Sequence, residues 1–508
     1  MSRTSRRSFL QAMFQATALS FGTLGAQGTS GANKTPNLLL IMCDDLGFGD
    51  TGFNGNSEIR TPNLDRLCAE GARFTRFYSG SPVCSPTRAT CLTGRHHARL
   101  GVMHANEGCL PRQEITIAEI CRYAGYRTGH FGKWHLGTMS TTEKDGNRGG
   151  PDHPEFYSPP WDHGYDTCFC TEALVPTWNP GLTPAEGNNL WGTPGTRWRS
   201  AYWNEQGKRV TENLDGDDAR VIIDRVEPFF RTTLSQGVPF MATIWFHTPH
   251  APVVAGPDYR AMYADHPEGA QHYFGSITAM DEQVGRINKL LTELGVDQNT
   301  FVLFASDNGP EGSGDDDPVS RFHGSTAHLR GRKRSLYSGG ITVPAFAKWP
   351  GRIEAGSTVA TPCSTLDYLP TLCDLLGYVM PDVRPIDGIS LMPALSGKVV
   401  ERDKIIPLFF LDSERGMAGS PTLGTIGDRY KFLTNLSNSG TEDQLYDVLE
   451  DEQEANNLAA SKPDYVSEQR EYLRQFLASC RHSHQGGDYS EPYKAVTEFP
   501  LLTGGWKG

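Results

Sequence analysis

Apolar positions are grouped along this chain into short, dense blocks. Asn37-Leu38-Leu39-Leu40-Ile41-Met42-Cys43 is an almost unbroken apolar run of strand length, the pattern of a strand covered on both faces. Similar runs at residues 239–246 and 300–305 predict two more such strands, residues 126–131, between Gly125 and Gly132, read as another strand, and residues 74–79 as a shorter one. Helical periodicity falls between them, at residues 116–123 (closed by Gly125), 217–232, 271–294 (closed by Gly295) and 365–376. Thr61 followed by Pro62 marks a further helix start, with Thr61 as cap and Pro62 in the first position. Strands and helices in alternation predict an α/β fold: a large, mostly parallel sheet flanked by helices. Periodicity is lost from about 138 to 216, where Trp161, Trp178, Trp191, Trp198 and Trp203 read as apolar anchors for loops more than as rings offered to a sugar. Past residue 400 the runs shorten, at 404–411, 430–434 and 443–447, before a final helix over 463–479. This predicts a smaller C-terminal α+β subdomain containing an antiparallel sheet. The expected division is a leader at 1–32, an α/β domain at 33–398 and the subdomain at 399–508.

Each of the four buried runs stops in residues able to do chemistry: Asp44 and Asp45, Lys133 and His135, His247 and His250, Asp307 and Asn308. Open α/β sheets bind ligands beyond the carboxyl ends of their strands. One such cluster has an ordinary reading as a cap, a turn or a structural histidine. Four at the same end of successive strands point to one site. Asp44, Asp45, Asp307 and Asn308 each offer a side-chain oxygen, a donor set that suits a hard cation, calcium or magnesium. Arg88, Lys133, Lys333 and the histidines are cationic or proton-transferring. With a divalent cation they make a positive pocket suited to a tetrahedral oxyanion, a sulfate or phosphate ester.

Cys84-Ser85-Pro86-Thr87-Arg88-Ala89-Thr90-Cys91-Leu92-Thr93-Gly94-Arg95 adds a reactive candidate. Pro86 is expected at the first helical position, which places Cys84 at a helix N-terminus, where unpaired N–H groups and the dipole favour negative charge. Arg88, four residues on, falls on the same side. Alone, the stretch fits a reactive thiol and a buried cysteine beside an ordinary helix start equally well.

Composition narrows the partners. A net charge of −12 over 508 residues argues against nucleic-acid binding and leaves room for a local basic pocket. Ser5-Arg6-Arg7-Ser8-Phe9-Leu10, ahead of an uncharged small-residue stretch at 12–26, reads as a twin-arginine export signal. It implies an exported bacterial protein, periplasmic or extracellular. No other stretch is long and apolar enough for a transmembrane anchor. The 11 cysteines are an odd number, so at least one is unpaired, while others could pair in an oxidising compartment. Cys168-Phe169-Cys170 is too closely spaced for a zinc knuckle.

These motifs resemble those of the formylglycine-dependent sulfatase family (cysteine type) of the alkaline-phosphatase superfamily, over residues 36–458. The most specific part is Cys84 to Arg95, similar to C-x-P-[ST]-R followed by L-T-G-R, and Gly132-Lys133-Trp134-His135-Leu136-Gly137 resembles the second signature. The resemblance implies that a maturation enzyme oxidises Cys84 to formylglycine. It implies a calcium ion, magnesium being the lesser alternative, held by Asp44, Asp45, Asp307, Asn308 and the group at position 84. Arg88, Lys133, His135, His250 and Lys333 match the sulfate-handling residues. In the implied mechanism the hydrated aldehyde, oriented by Arg88, attacks sulfur while Lys133 and Lys333 hold the sulfate oxygens. His250 then protonates the departing alcohol, and His135 helps to expel sulfate. His250 matches the family's P-H-x-P pattern, and His247 stays a substrate-binding candidate. The chain departs from the family at Ser338 and Thr342, where Glu and Arg are common. Arg330, Arg332 and Arg334 read equally as substrate contacts or a solvated face. The implied activity is hydrolysis of a sulfate ester, with a sulfated carbohydrate as substrate. A phosphodiesterase or phosphonate monoester hydrolase of the same superfamily, an inactive sulfated-glycan binder and a cysteine hydrolase are the alternatives.

Overall fold

A computed structural model describes residues 35–186, 191–312, 322–411, 420–435 and 442–500; the expected export segment lies outside them. Its centre is a row of five parallel strands: β9 (Thr300–Ser306), β1 (Asn37–Cys43), β8 (Phe240–Trp245), β4 (Arg127–Lys133) and β5 (Thr167–Thr171). Beyond β9 lie β10 (Ala345–Lys348), β2 (Ala72–Phe74) and β11 (Ser357–Val359). Beyond β5 lie β6 (Tyr202–Asn204) and β7 (Arg209–Val210). The sheet is therefore mixed. Its parallel centre is bordered by antiparallel pairs, β10 against β9 on one side and β5–β6–β7 on the other.

Period-two alternation explains why β1 is apolar at almost every position. Leu38, Leu40 and Met42 of β1 join one hydrophobic cluster, and Leu39, Ile41 and Cys43 join the other, on the opposite face. The first cluster is closed by the helices Cys84–Thr93, Ile117–Tyr123 and Tyr368–Leu376. The second is closed by Pro62–Ala69, Asp218–Ser235 and Glu268–Glu293. Ile117–Tyr123 starts on a capping box in which Thr116 and Glu119 satisfy each other's backbone N–H. Thr61 behaves differently from expectation. It occupies the cap position, but its hydroxyl accepts from Gly52 N and donates to Asp65 instead of capping the helix.

Two other expectations change. The stretch at 138–216 contains β5, β6 and β7, hidden in the sequence because they are short and separated by long loops. Its five tryptophans are all at least partly buried. The strand expected over 74–79 is split into β2 and β3 (Phe77–Tyr78), the latter pairing with β12 (Cys363–Ser364). None of the eleven cysteines is in a disulfide, and all but Cys373 are fully buried. Near the C-terminus, β13 (Ile406–Phe409), β14 (Leu423–Ile426), β15 (Tyr430–Thr434) and β16 (Gln444–Asp447) form an antiparallel sheet in sequential order. Helix Pro463–His484 contributes Leu473, Phe476 and Leu477 to a core shared with it. Tyr78, Val83 and Leu336 share a second core with the opposite face of that sheet.

Register delivers the site. Met42 pairs with Ala305 on one side and Trp245 on the other, and Trp245 pairs with Gly132. The four chains therefore leave the sheet in one row. Gly132 has φ +102°, and a Cβ there would lie 1.9 Å from the carbonyl oxygen of Trp245. Only glycine lets β4 approach β8 this closely just before Lys133. Gly132→Ala is expected to destabilise the fold by about 2 kcal/mol or more, read as a lower thermal midpoint. An unchanged midpoint would show that this strand end tolerates a side chain.

Candidate active site

Helix Cys84–Thr93 opens two residues earlier than its sequence suggests. Val83 is the cap, Cys84 the first helical residue and Pro86 the third, so the proline still falls where its absent N–H is not missed. The helix lies under the row of strand ends and directs Cys84 and Arg88 toward them. Cys84 is 1% exposed, and Asp44, Asp45, Arg88, Lys133, Asp307 and Asn308 are fully buried. Charges so placed must be paired.

The pairing is extensive. Arg88 donates to Asp307 Oδ2 from Nε at 3.1 Å and from a terminal nitrogen at 2.6 Å, and donates to the Lys133 carbonyl at 3.1 Å. Its guanidinium lies 5.1 Å from the Trp245 ring. Lys133 Nζ donates to Asp44 Oδ2 at 2.5 Å, and Lys333 Nζ donates to Asp45 Oδ1. Asn308 Nδ2 donates to the same Asp45 oxygen at 2.8 Å, and Asp307 Oδ1 accepts from Asp45 N at 3.2 Å. Asp45 holds φ +68°, a left-handed conformation that aspartate adopts more readily than most residues. Burial, reinforced by the charge of Asp44, pushes the Asp307 carboxyl up to about 7 against the opposing pull of Arg88 and Lys133. Burial would lower Lys133, but the neighbouring Asp44, Cys84 and Asp307 together outweigh it and raise the ammonium above its ordinary range.

The donor set fits a hard cation. Ligating atoms of Asp44, Cys84 and Asp307 lie within 4.8 Å of one another, as do those of Asp44, Asp45 and His250. Asp44 Oδ1 and Asn308 Oδ1 are buried and meet no hydrogen-bond donor among the described residues. Unsatisfied oxygens beside three carboxylates are what a divalent ion would satisfy. Three carboxylates already face Arg88, Lys133 and Lys333, so an added cation makes the pocket positive and suited to an oxyanion.

The histidines divide by role. His135 sits at φ +56° with both ring nitrogens buried and without a hydrogen-bond partner among the described residues. Burial, then Lys133, Arg148, Arg88 and Lys333, holds its imidazole well below the usual range, which keeps the ring neutral. His250 Nδ1 lies 2.8 Å from the carbonyl of Ala251, and Nε2 lies 3.9 Å from Asp45 Oδ2. His247 is turned away from the others. Its Nδ1 meets Asp218 at 2.9 Å and its Nε2 meets Thr171 at 2.8 Å, so neither nitrogen is left for a substrate. Arg330, Arg332 and Arg334 also find partners in the protein: Arg330 reaches Tyr446 and the Glu454 carbonyl, Arg332 the Glu311 carbonyl, and Arg334 the Glu311 carboxylate. Ser338 is bound at its N–H by Glu454 at 2.7 Å and at its hydroxyl by Lys431 at 3.2 Å.

Two residues at the site give no sequence signal. Arg148, from the stretch without periodicity, donates to Ser85 Oγ at 2.9 Å and to the Gly108 carbonyl at 2.8 Å. It also pairs with buried Glu172 at 3.1 Å. Ser85 in turn lies 2.6 Å from the His135 carbonyl, so this network ties the Cys84 helix to the Lys133–His135 turn.

Comparison with known proteins gives a consistent picture. The family model described as Sulfatase matches residues 36–378, and one described as N-sulphoglucosamine sulphohydrolase, C-terminal, matches residues 328–482. N-acetylgalactosamine-6-sulfatase of Canis lupus familiaris is 33% identical over 438 residues, covering 80% of this chain and 74% of its own. Arylsulfatase A of Bos taurus is 31% identical over 487 residues, covering 89% of each. Among solved structures, that of Ps i-CgsB in complex with k-i-k-neocarrahexaose superposes with TM-score 0.72 at 24% identity, covering 90% of this chain and 95% of that one.

Arg88→Ala leaves Asp307 buried without its main counter-charge and is expected to cost about 3–5 kcal/mol in denaturant unfolding. Arg88→Met combined with Asp307→Leu is expected to cost much less. Equal losses would show that the two charges do not stabilise each other. Saturating calcium or magnesium is expected to raise the thermal midpoint, by about 2.7 kcal/mol of stabilisation at a hundredfold excess over Kd. Asp44→Asn should lose most of that rise, and a full rise in the variant would place the ion elsewhere.

Proposed function

Because the chain belongs to the sulfatase family, we propose that it hydrolyses a sulfate ester of a carbohydrate, using formylglycine made from Cys84 and a calcium ion. The observation that carries this reading is the meeting of Cys84, Asp44 and Asp307 within 4.8 Å, enclosed by Arg88, Lys133 and Lys333. A cysteine hydrolase has no use for two carboxylates beside its thiol, since they oppose the thiolate it needs. They suit a cation-assisted oxygen nucleophile.

Asp44, Asp45, Asp307 and Asn308 would hold the calcium ion, which supplies a fixed double positive charge for the ester oxygens. Oxidised to formylglycine by a maturation enzyme, residue 84 supplies a hydroxyl nucleophile in its hydrated form. The chain's own residues do the rest. Lys133 and Lys333 bind two sulfate oxygens and offset the charge that develops on them. Arg88, locked by Asp307 and the Lys133 carbonyl, orients residue 84 from one helical turn away. His250 delivers a proton to the departing alcohol, and His135, neutral by burial, accepts one when the site is reset. The carbohydrate substrate is suggested by the N-acetylgalactosamine-6-sulfatase relative. We place the catalytic unit at 33–398 and the smaller subdomain at 399–508, with export directed by Arg6 and Arg7 in the leader.

Mass spectrometry of the peptide containing residue 84 is expected to find an aldehyde in active protein. An intact thiol in fully active protein sinks the proposal. Cys84→Ala is expected to lower kcat/KM on sulfate esters by about 10³-fold or more. Wild-type protein should favour aryl sulfate over aryl phosphate, and the reverse preference would make it a phosphate ester or phosphonate hydrolase. Arg6→Lys with Arg7→Lys is expected to hold the protein in the cytoplasm, and undiminished export would require another signal.

A further inference from the structure

His247 is fully buried, and every polar atom of its side chain is engaged behind the catalytic row. Nδ1 faces Asp218 Oδ2 at 2.9 Å, and the other oxygen of Asp218 accepts from Tyr202 at 2.5 Å. Nε2 faces Thr171 Oγ1 at 2.8 Å. That hydroxyl donates its single proton to the Ala173 carbonyl at 2.7 Å, so toward the ring it can only accept. The ring, held at both nitrogens, bridges the end of β5 to the first turn of helix Asp218–Ser235. Its two anchors are deep in the protein and belong to elements set by the core.

The main chain of the same residue faces the chemistry. The His247 carbonyl accepts from His250 N at 2.7 Å, closing the turn that presents the His250 ring beside Asp45. One residue on, the Thr248 carbonyl accepts from Asp44 N at 3.1 Å. Thr171 is the register partner of Lys133, and its carbonyl accepts from Trp134 N at 2.9 Å. A single clamped ring therefore fixes the turn carrying His250 relative to the turn carrying Lys133 and the strand end carrying Asp44.

Resting on the sulfatase reading above, we infer that His247 is a positioning residue for His250: the Asp218–His247–Thr171 clamp holds the proton donor where it meets the departing alcohol. Such a role has a signature that loss of packing lacks. An electron-poor phenol leaves without a proton, whereas a sugar or alkyl alcohol needs one, so misplacing the donor damages only the second reaction. The test compares His247→Gln, His250→Ala and the double variant on nitrophenyl sulfate and on a sulfated monosaccharide. His250→Ala is expected to lose about 10²-fold or more in kcat on the sugar ester and far less on the aryl ester. His247→Gln should show the same split at about tenfold or more, with KM little changed, and the double variant should lose little beyond His250→Ala. Equal losses by His247→Gln on both esters, or an effect confined to KM, overturn the inference. If His247→Gln does not fold, Thr171→Val removes one anchor at nearly constant volume. It should give a smaller split in the same direction, and no split overturns the inference. Absence of the split in His250→Ala, or of sulfate ester turnover in wild type, overturns the underlying reading and this inference with it.

Discussion

Three carboxylates and three cations share a volume from which the fold excludes water, and the rest of the architecture follows from making that tolerable. Each ion is costly to bury alone. Here Asp44 is answered by Lys133, Asp45 by Lys333 and Asp307 by Arg88, all within hydrogen-bonding distance. The parallel centre of the sheet puts Asp44, Asp45, Asp307 and Lys133 in one row, because Met42, Ala305, Trp245 and Gly132 are in register across four strands, while Arg88 comes from the helix and Lys333 from a loop. The Trp245 ring, stacked on Trp134 at 6.2 Å, lies 5.1 Å from the Arg88 guanidinium and packs an apolar surface against the cluster. The chemistry and the stability of this centre are inseparable: removing one charge strands its partner.

Much of this is legible in the sequence, and the reason is period and punctuation. The runs at 37–43 and 300–305 are apolar at nearly every position and of strand length, as strands covered on both faces require, and the polar residues that stop them mark the functional end of the sheet. Thus Asp44, Asp45, Lys133, His135, His250, Asp307 and Asn308 can be proposed together from the sequence alone. What escapes it is local or long-range. The sequence sets Cys84 two residues too far out, because Pro86 is tolerated anywhere in the first helical turn and does not mark its start. β6 and β7 are two or three residues long, below any periodicity. The use of both His247 nitrogens depends on Asp218 and Thr171, 29 and 76 residues away in sequence, which no local pattern can express.

The signature that runs from Cys84 to Arg95 serves two purposes at its two ends. Gly94, at φ +65°, closes the helix as a left-handed cap. Arg95 is fully buried, meeting Glu114 at 3.4 Å and Asp488 at 2.6 Å. Glu114 also accepts from Tyr489, and Arg99 pairs with Asp387 at 2.8 Å. Half of the motif therefore faces the reaction, and the other half fastens the helix to segments near the end of the chain. Substitutions at Arg95 and at Arg88 should be equally disruptive for unrelated reasons, and motif membership alone cannot distinguish them.

The 1% exposure of Cys84 bears on how such a protein comes to be active. In the finished fold the sulfur lies beneath the strand ends with a helix behind it, so another protein has no surface by which to grip the segment around it. Any enzyme that acts on this cysteine must compete with folding and win before the sheet and the helix close together. On the mechanism proposed above, a chain that folded first would keep its thiol and lack the nucleophile. Under that reading the yield of active molecules would depend on conversion preceding folding, because the burial that shapes the site also closes it to later modification.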